Sequence, residues 1–155
     1  MNPPVIPPTD WPVSSLLPHS GNMVLLDAIC HFDDDSLTAE TTVKPSPYSL
    51  PDDSWPVWIG LELMAQAVGA WAGCQARKAN KPIQLGFLLG TRHYENHSGR
   101  LLPGARLKIL AKRSLLDPSG MGTFECKLHD GTRLLAQARL KIYQPEDSST
   151  LLDKS

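Results

Sequence analysis

Glu62 and Gln66 stand one helical turn apart in a stretch that is otherwise apolar, so they share one face of whatever helix that stretch forms. Ile59, Leu61, Leu63 and Met64 surround the carboxylate. Such surroundings disfavour a charged carboxyl group and suit it to general acid or base work. The plainer alternative is a helix-start carboxylate stabilised by the positive end of the dipole. Gly69 and Gly73 continue the stripe, with Ala65 and Ala72 beside it. Side chains that small admit another backbone or an extended ligand.

Other candidate chemistry is weaker. His93 and His97 are four apart, but Glu95 is misplaced for HExxH, and the segment reads as strand and loop, so no metal site is expected. Asp33, Asp34 and Asp35 form a run without flanking ligands and read as a hairpin turn. Cys30, Cys74 and Cys126 are far apart and odd in number, which argues against disulfides and thiolate metal sites. No phosphate loop or nucleophile elbow is present, and no cofactor is expected. Arg77, Lys78 and Lys81, with Arg106, Lys108, Lys112 and Arg113, read first as a solvated face. A docking surface for an acidic carrier protein is the sharper alternative.

The elements that must position Glu62 follow from periodicity. Residues 57–74 (VWIGLELMAQAVGAWAGC) hold only two strongly polar side chains and form a helix buried on nearly all sides. Asp53 and Ser54 are its candidate N-caps, and Pro82 follows as a stop. A membrane span would place Glu62 in lipid at about 2.5–3.5 kcal/mol, which disfavours that reading. Residues 23–30 and 36–43 precede the helix as strands, and residues 83–94, 105–112, 123–128 and 133–143 follow it. Their short connections exclude parallel crossovers. One antiparallel sheet must therefore curl around one helix, an α+β domain over residues 11–143. Residues 1–10, with four prolines, and the polar residues 144–155 are expected to be disordered ends.

At 155 residues and net charge −1, the chain suits one domain, with no general attraction to nucleic acid or anionic membrane. Its N-terminus lacks the basic and apolar regions of a signal peptide, and a cytoplasmic location is expected. One helix cannot cover both edges of such a sheet. A dimer or dimer of dimers is expected, with residues 83–91 as the interface strand.

Several segments resemble the 3-hydroxyacyl-[acyl-carrier-protein] dehydratases of the FabZ type. LPHSGNMVLLD at residues 17–27 is similar to their LPHRxPxLLxD opening, ELMAQ at residues 62–66 to their central-helix EAMAQ, and Pro103-Gly104 to a later turn. GLELMAQ at residues 60–66 and LLGTR at residues 88–92 bring the chain nearer to the ApeP-type dehydratase-like proteins of aryl-polyene clusters. The resemblance implies a hotdog fold and an acyl thioester substrate carried on acyl-carrier protein or CoA. It also implies a dimer whose sites lie at the subunit interface; the partner is expected to be a second copy or another hotdog dehydratase. In that family a histidine of one subunit and the helix glutamate of the other remove water from a 3-hydroxyacyl thioester. Glu62 holds the glutamate position. The family histidine lies in a GHFP loop fourteen residues earlier, where this chain has Tyr48. That departure leaves His19 as the histidine best placed by motif. Gln66, Tyr48, Gly86, Phe87, Leu88, Leu89 and Gly90 are the candidate substrate-binding residues, the last five lining an acyl channel. A thioesterase, or a non-catalytic subunit that completes a partner's site, is the alternative function.

Overall fold

The computed structural model describes residues 11–17, 24–80, 87–97, 99–116 and 121–143. A short 3-10 turn, Val13–Ser15, leads to strands β1 (Ala28–Phe32) and β2 (Ser36–Thr42), then helix α1 (Ile59–Lys78). Strands β3 (Phe87–Asn96), β4 (Arg106–Leu116), β5 (Met121–Asp130) and β6 (Arg133–Tyr143) complete the chain order. All six strands join one antiparallel sheet in the order β1-β2-β4-β5-β6-β3. This is the expected sheet around one helix, a hotdog domain, and β3 and β1 form its edges.

Period-two alternation decides which face of the sheet meets the helix. Leu37, Ala39 and Thr41 of β2 and Leu107, Ile109 and Ala111 of β4 point inward and are buried. Phe124, Cys126 and Leu128 of β5 and Ala136, Ala138 and Leu140 of β6 complete the floor beneath α1. The helix buries Ile59, Leu63, Met64, Ala67, Ala70 and Cys74 against it. Full burial of such aliphatic side chains contributes roughly 1.5–3 kcal/mol each. The stripe through Trp58, Glu62, Ala65, Gly69, Ala72 and Ala76 is less completely covered than the rest of the helix.

Several local expectations are revised. The helix begins at Ile59, with Trp58 in the N-cap position and no side-chain cap. Ser54 instead bonds Asp52 through both N–H (3.1 Å) and Oγ (2.5 Å), while Trp55 exchanges two 2.9 Å backbone bonds with Leu101. That bridge keeps residues 54–55 extended, so the helix cannot start until after Pro56. Its far end runs on to Lys78 because Gln75, Arg77 and Lys78 all find acceptors or ring faces on neighbouring segments. The first strand starts at Ala28 rather than residue 23. Leu25 lies outside the ladder, and side chains satisfy its buried backbone: Gln66 Oε1 accepts its N–H at 2.9 Å, and Thr41 Oγ1 donates to its carbonyl at 2.6 Å.

The Asp33–Asp35 run is a turn, as expected. Asp33 Oδ1 accepts the N–H groups of Asp35 (2.8 Å) and Ser36 (2.7 Å). Burial works against the Asp33 charge, but those donors and the Ser36 hydroxyl outweigh it and hold the carboxyl below its ordinary range. The Asp33 carbonyl takes Trp71 Nε1 (3.2 Å) and Gln75 Nε2 (2.8 Å), which pins the hairpin to the helix. Gly73 meets the backbone alternative considered for the small-residue stripe. An added Cβ would lie 2.2 Å from the Leu16 carbonyl oxygen, so the segment before β1 crosses the helix there. Among the described residues, no helix is long and apolar enough to cross a membrane.

Candidate active site

Glu62 lies in the first turns of α1, half-buried, and Gln66 lies one turn deeper and is 0% exposed. Gln66 is held at both ends of its amide. Its Oε1 must face the Leu25 N–H, since a backbone N–H can only donate, and this turns Nε2 toward Glu62 Oε1 at 3.1 Å. A backbone group on the segment before β1 thereby orients the carboxylate through one buried side chain. The same Leu25, with Lys44, Pro45, Pro47 and Trp55, lines a surface depression of about 410 Å³.

The first turn of α1 is tight. The N–H groups of Ile59, Gly60 and Leu61 donate to the carbonyls of Pro56, Val57 and Trp58 at 3.0–3.1 Å, and Glu62 N–H donates to Trp58 O at 3.4 Å. A thioester carbonyl approaching this helix end would therefore meet the summed helix dipole, with these four donors already engaged.

Tyr48 sits at the same end of the helix. Its loop is folded by Ser46 and Ser49: Ser46 N–H donates to Ser49 Oγ at 2.9 Å, and Tyr48 N–H to Ser46 Oγ at 3.1 Å. The Tyr48 ring meets Trp58 edge-on, with centroids 5.7 Å apart. Trp58 is 55% exposed and stands one turn before Glu62 in the sequence of the helix. Trp58 was missed in the sequence because it reads as part of an apolar helix start.

Of the candidate channel residues, Phe87, Leu88, Leu89 and Gly90 fall on edge strand β3. Phe87 and Leu88 stand opposite Tyr143 and Ile142 of β6, and a register shift lies between Leu88 and Gly90. Gly86 and His19 lie outside the described residues, as does Lys81. The described histidine contacts lie elsewhere: His31 bonds Thr38 (3.2 Å), His97 approaches Glu95 (3.6 Å), and His129 stands opposite Lys108 in the ladder.

The basic residues divide into two groups. Lys78 pairs with Asp34 (3.3 Å), Arg113 with Asp35 (2.7 Å), and Arg77 and Arg113 lie over the rings of Trp11 and Trp71 at 5.1 Å. These fasten the β1–β2 hairpin and the N-terminal segment to the body. Arg106, Lys108 and Lys112 alternate along β4 on the sheet face away from the helix. All three cysteines are free thiols, and burial pushes Cys74 and Cys126 up to about 12. Neither suits nucleophilic work. Among the described residues, no group of three or more histidines, cysteines or carboxylates could hold a metal ion.

Comparison with known proteins identifies the family. The family of ApeP-like proteins, described as ApeP dehydratase, matches residues 11–153. The dehydratase heterocomplex ApeI:P from Xenorhabdus doucetiae contains a chain 31% identical to this one, with a TM-score of 0.83 over 92% of this chain and 95% of that one. The mutant thioesterase PA1618 from Pseudomonas aeruginosa is 20% identical (TM-score 0.56), covering 76% of this chain and 80% of its own. The PaaI protein of E. coli is 13% identical (TM-score 0.59), covering 74% and 80%. These two share the fold alone. The search of curated proteins finds no match. A match over nearly the whole folded region places the chain in the ApeP-like family of hotdog dehydratases.

Proposed function

We propose that the chain removes water from a 3-hydroxyacyl thioester, carried on an acyl-carrier protein or CoA, in a site shared between two hotdog subunits, with Glu62 as one of its two acid–base groups. The observation that carries this reading is the fixed Leu25–Gln66–Glu62 relay, which ends at Glu62 on the less covered stripe of α1. In the elimination a base takes the Cα proton, and that electron pair forms the Cα=Cβ bond. The Cβ hydroxyl leaves as water after receiving a proton from an acid. Glu62 supplies one of these groups, and the second comes from across a subunit interface. The ApeI:P relative is itself a heterocomplex, which supports a second, different hotdog chain as the source. In an assembly of identical chains, His19, Tyr48 or water must serve. Edge strand β3 is the strand through which the subunits join, and the acyl chain runs beside residues 86–90.

The test measures enoyl product from 3-hydroxyacyl-carrier protein, with the chain alone and mixed with a hotdog dehydratase that carries the family histidine. Free thiol is followed in parallel. The expected result is slow dehydration alone and a large gain on mixing, without thiol release. Thiol release as the main reaction would make the protein a thioesterase. Full dehydratase activity alone, unaffected by His19→Ala and Tyr48→Phe, would refute this account of the second acid–base group.

A further inference from the structure

The turn that carries Glu62 is closed by its own backbone bonds but has no side-chain cap at its start. The N-cap residue Trp58 contributes no side-chain cap, which forgoes the bond that commonly fixes a helix start. A residue of edge strand β3 holds the start of the helix by a different bond. Tyr94 of β3 donates its hydroxyl to the Val57 carbonyl at 2.8 Å, the carbonyl that also accepts Gly60 N–H at 3.1 Å. The tyrosine must donate because a carbonyl can only accept, and its oxygen in turn accepts from Asn96 Nδ2 at 3.4 Å. Tyr94 reaches the helix because the β3–β6 register shifts between Arg92 and Glu95, an irregularity of the kind that re-aims a strand side chain.

The fit is close as well as bonded. A Cβ on Gly60 would lie 2.9 Å from the Tyr94 hydroxyl oxygen and 3.4 Å from Leu128 Cδ2. The hydroxyl is thus bonded to Val57 and seated against Gly60, two residues before Glu62. We infer that Tyr94 is a positioning residue for the proposed dehydration: its hydroxyl, bonded to Val57 and packed on Gly60, sets where the first turn of α1 holds Glu62. This rests on the acid–base role proposed for Glu62. It also joins edge strand β3 to the turn that carries Glu62, so a displacement of that strand reaches that turn through one side chain.

Tyr94→Phe removes the hydroxyl and keeps the ring. With a 3-hydroxyacyl N-acetylcysteamine thioester as substrate, in the assembly that gives the higher rate, kcat should fall about tenfold while KM changes less than about twofold. The melting temperature should move by only a few degrees. A kcat within about twofold of the parent would overturn the inference. Gly60→Ala should lower kcat in the parent and cost clearly less in the Tyr94→Phe background, where the oxygen it meets is gone. Equal losses in both backgrounds would also overturn it. An inactive parent would count against the proposed function, and amide exchange would then decide the positioning role. Faster exchange at residues 59–62 in Tyr94→Phe, with β4–β6 unchanged, supports it, and unchanged exchange there overturns it.

Discussion

Replacing Gln66 by Leu keeps most of the side-chain volume and removes both amide bonds. The Leu25 N–H is then buried with its acceptor gone, which costs about 1–3 kcal/mol, and Glu62 loses the donor that orients it. The variant should therefore melt lower in a thermal scan and also turn over more slowly. A variant of normal stability would show that Leu25 finds another acceptor. The thiols make a separate prediction, on pH. Burial raises Cys74 and Cys126 to about 12 in the folded protein, whereas unfolded thiols ionise near about 8.5. The folded state keeps protons that the unfolded chain releases, so stability is full below about pH 8.5 and falls as pH rises toward 12. The slope is ~1.4 kcal/mol per pH unit for each thiol. Denaturant unfolding across pH 8–11 checks this, and Cys74→Ala should flatten the curve.

At the scale of elements, Gly73 and the strand β3 are the informative parts. Gly73→Ala pushes a Cβ into the Leu16 carbonyl, a backbone group that cannot swing aside, and should cost about 1–3 kcal/mol as overpacking does. Helical circular dichroism should stay unchanged while the unfolding midpoint drops. On β3, Gly90→Val should weaken binding of long acyl chains more than short ones if residues 86–90 border the acyl path. Equal effects on both, measured by isothermal titration, would move that path elsewhere. The helix and the succession of strands along the chain were legible because both depend on local periodicity: alternation in β2 and β4, and an apolar run around Glu62. Element ends were not, since the helix start depends on the Trp55–Leu101 bridge between residues distant in sequence. The same holds within the site. Glu62 and Gln66 are visible at helical spacing, but the partner that fixes Gln66 is a backbone N–H, which carries no residue signature. Tyr94 lay within a histidine-rich stretch weighed only for metal, and its reach to Val57 arises from a register shift that composition does not reveal.

At the scale of the whole molecule, the fold leaves the site at a boundary. The sheet ends on β3, and the helix stripe bearing Glu62 is less covered than its other sides. An open edge beside a partly covered helix face invites a second hotdog chain. Light scattering at micromolar concentration should therefore show an assembly of two or more subunits, and a stable monomer would defeat the shared-site account. The most direct test of that account is Glu62→Gln in the mixed assembly, with dehydration of 3-hydroxyacyl-carrier protein followed as enoyl product. Loss of one positioned acid–base group typically costs 10²- to 10⁴-fold. The account predicts a loss in that range with the assembly intact by light scattering. An intact assembly that dehydrates as fast as the parent would contradict it.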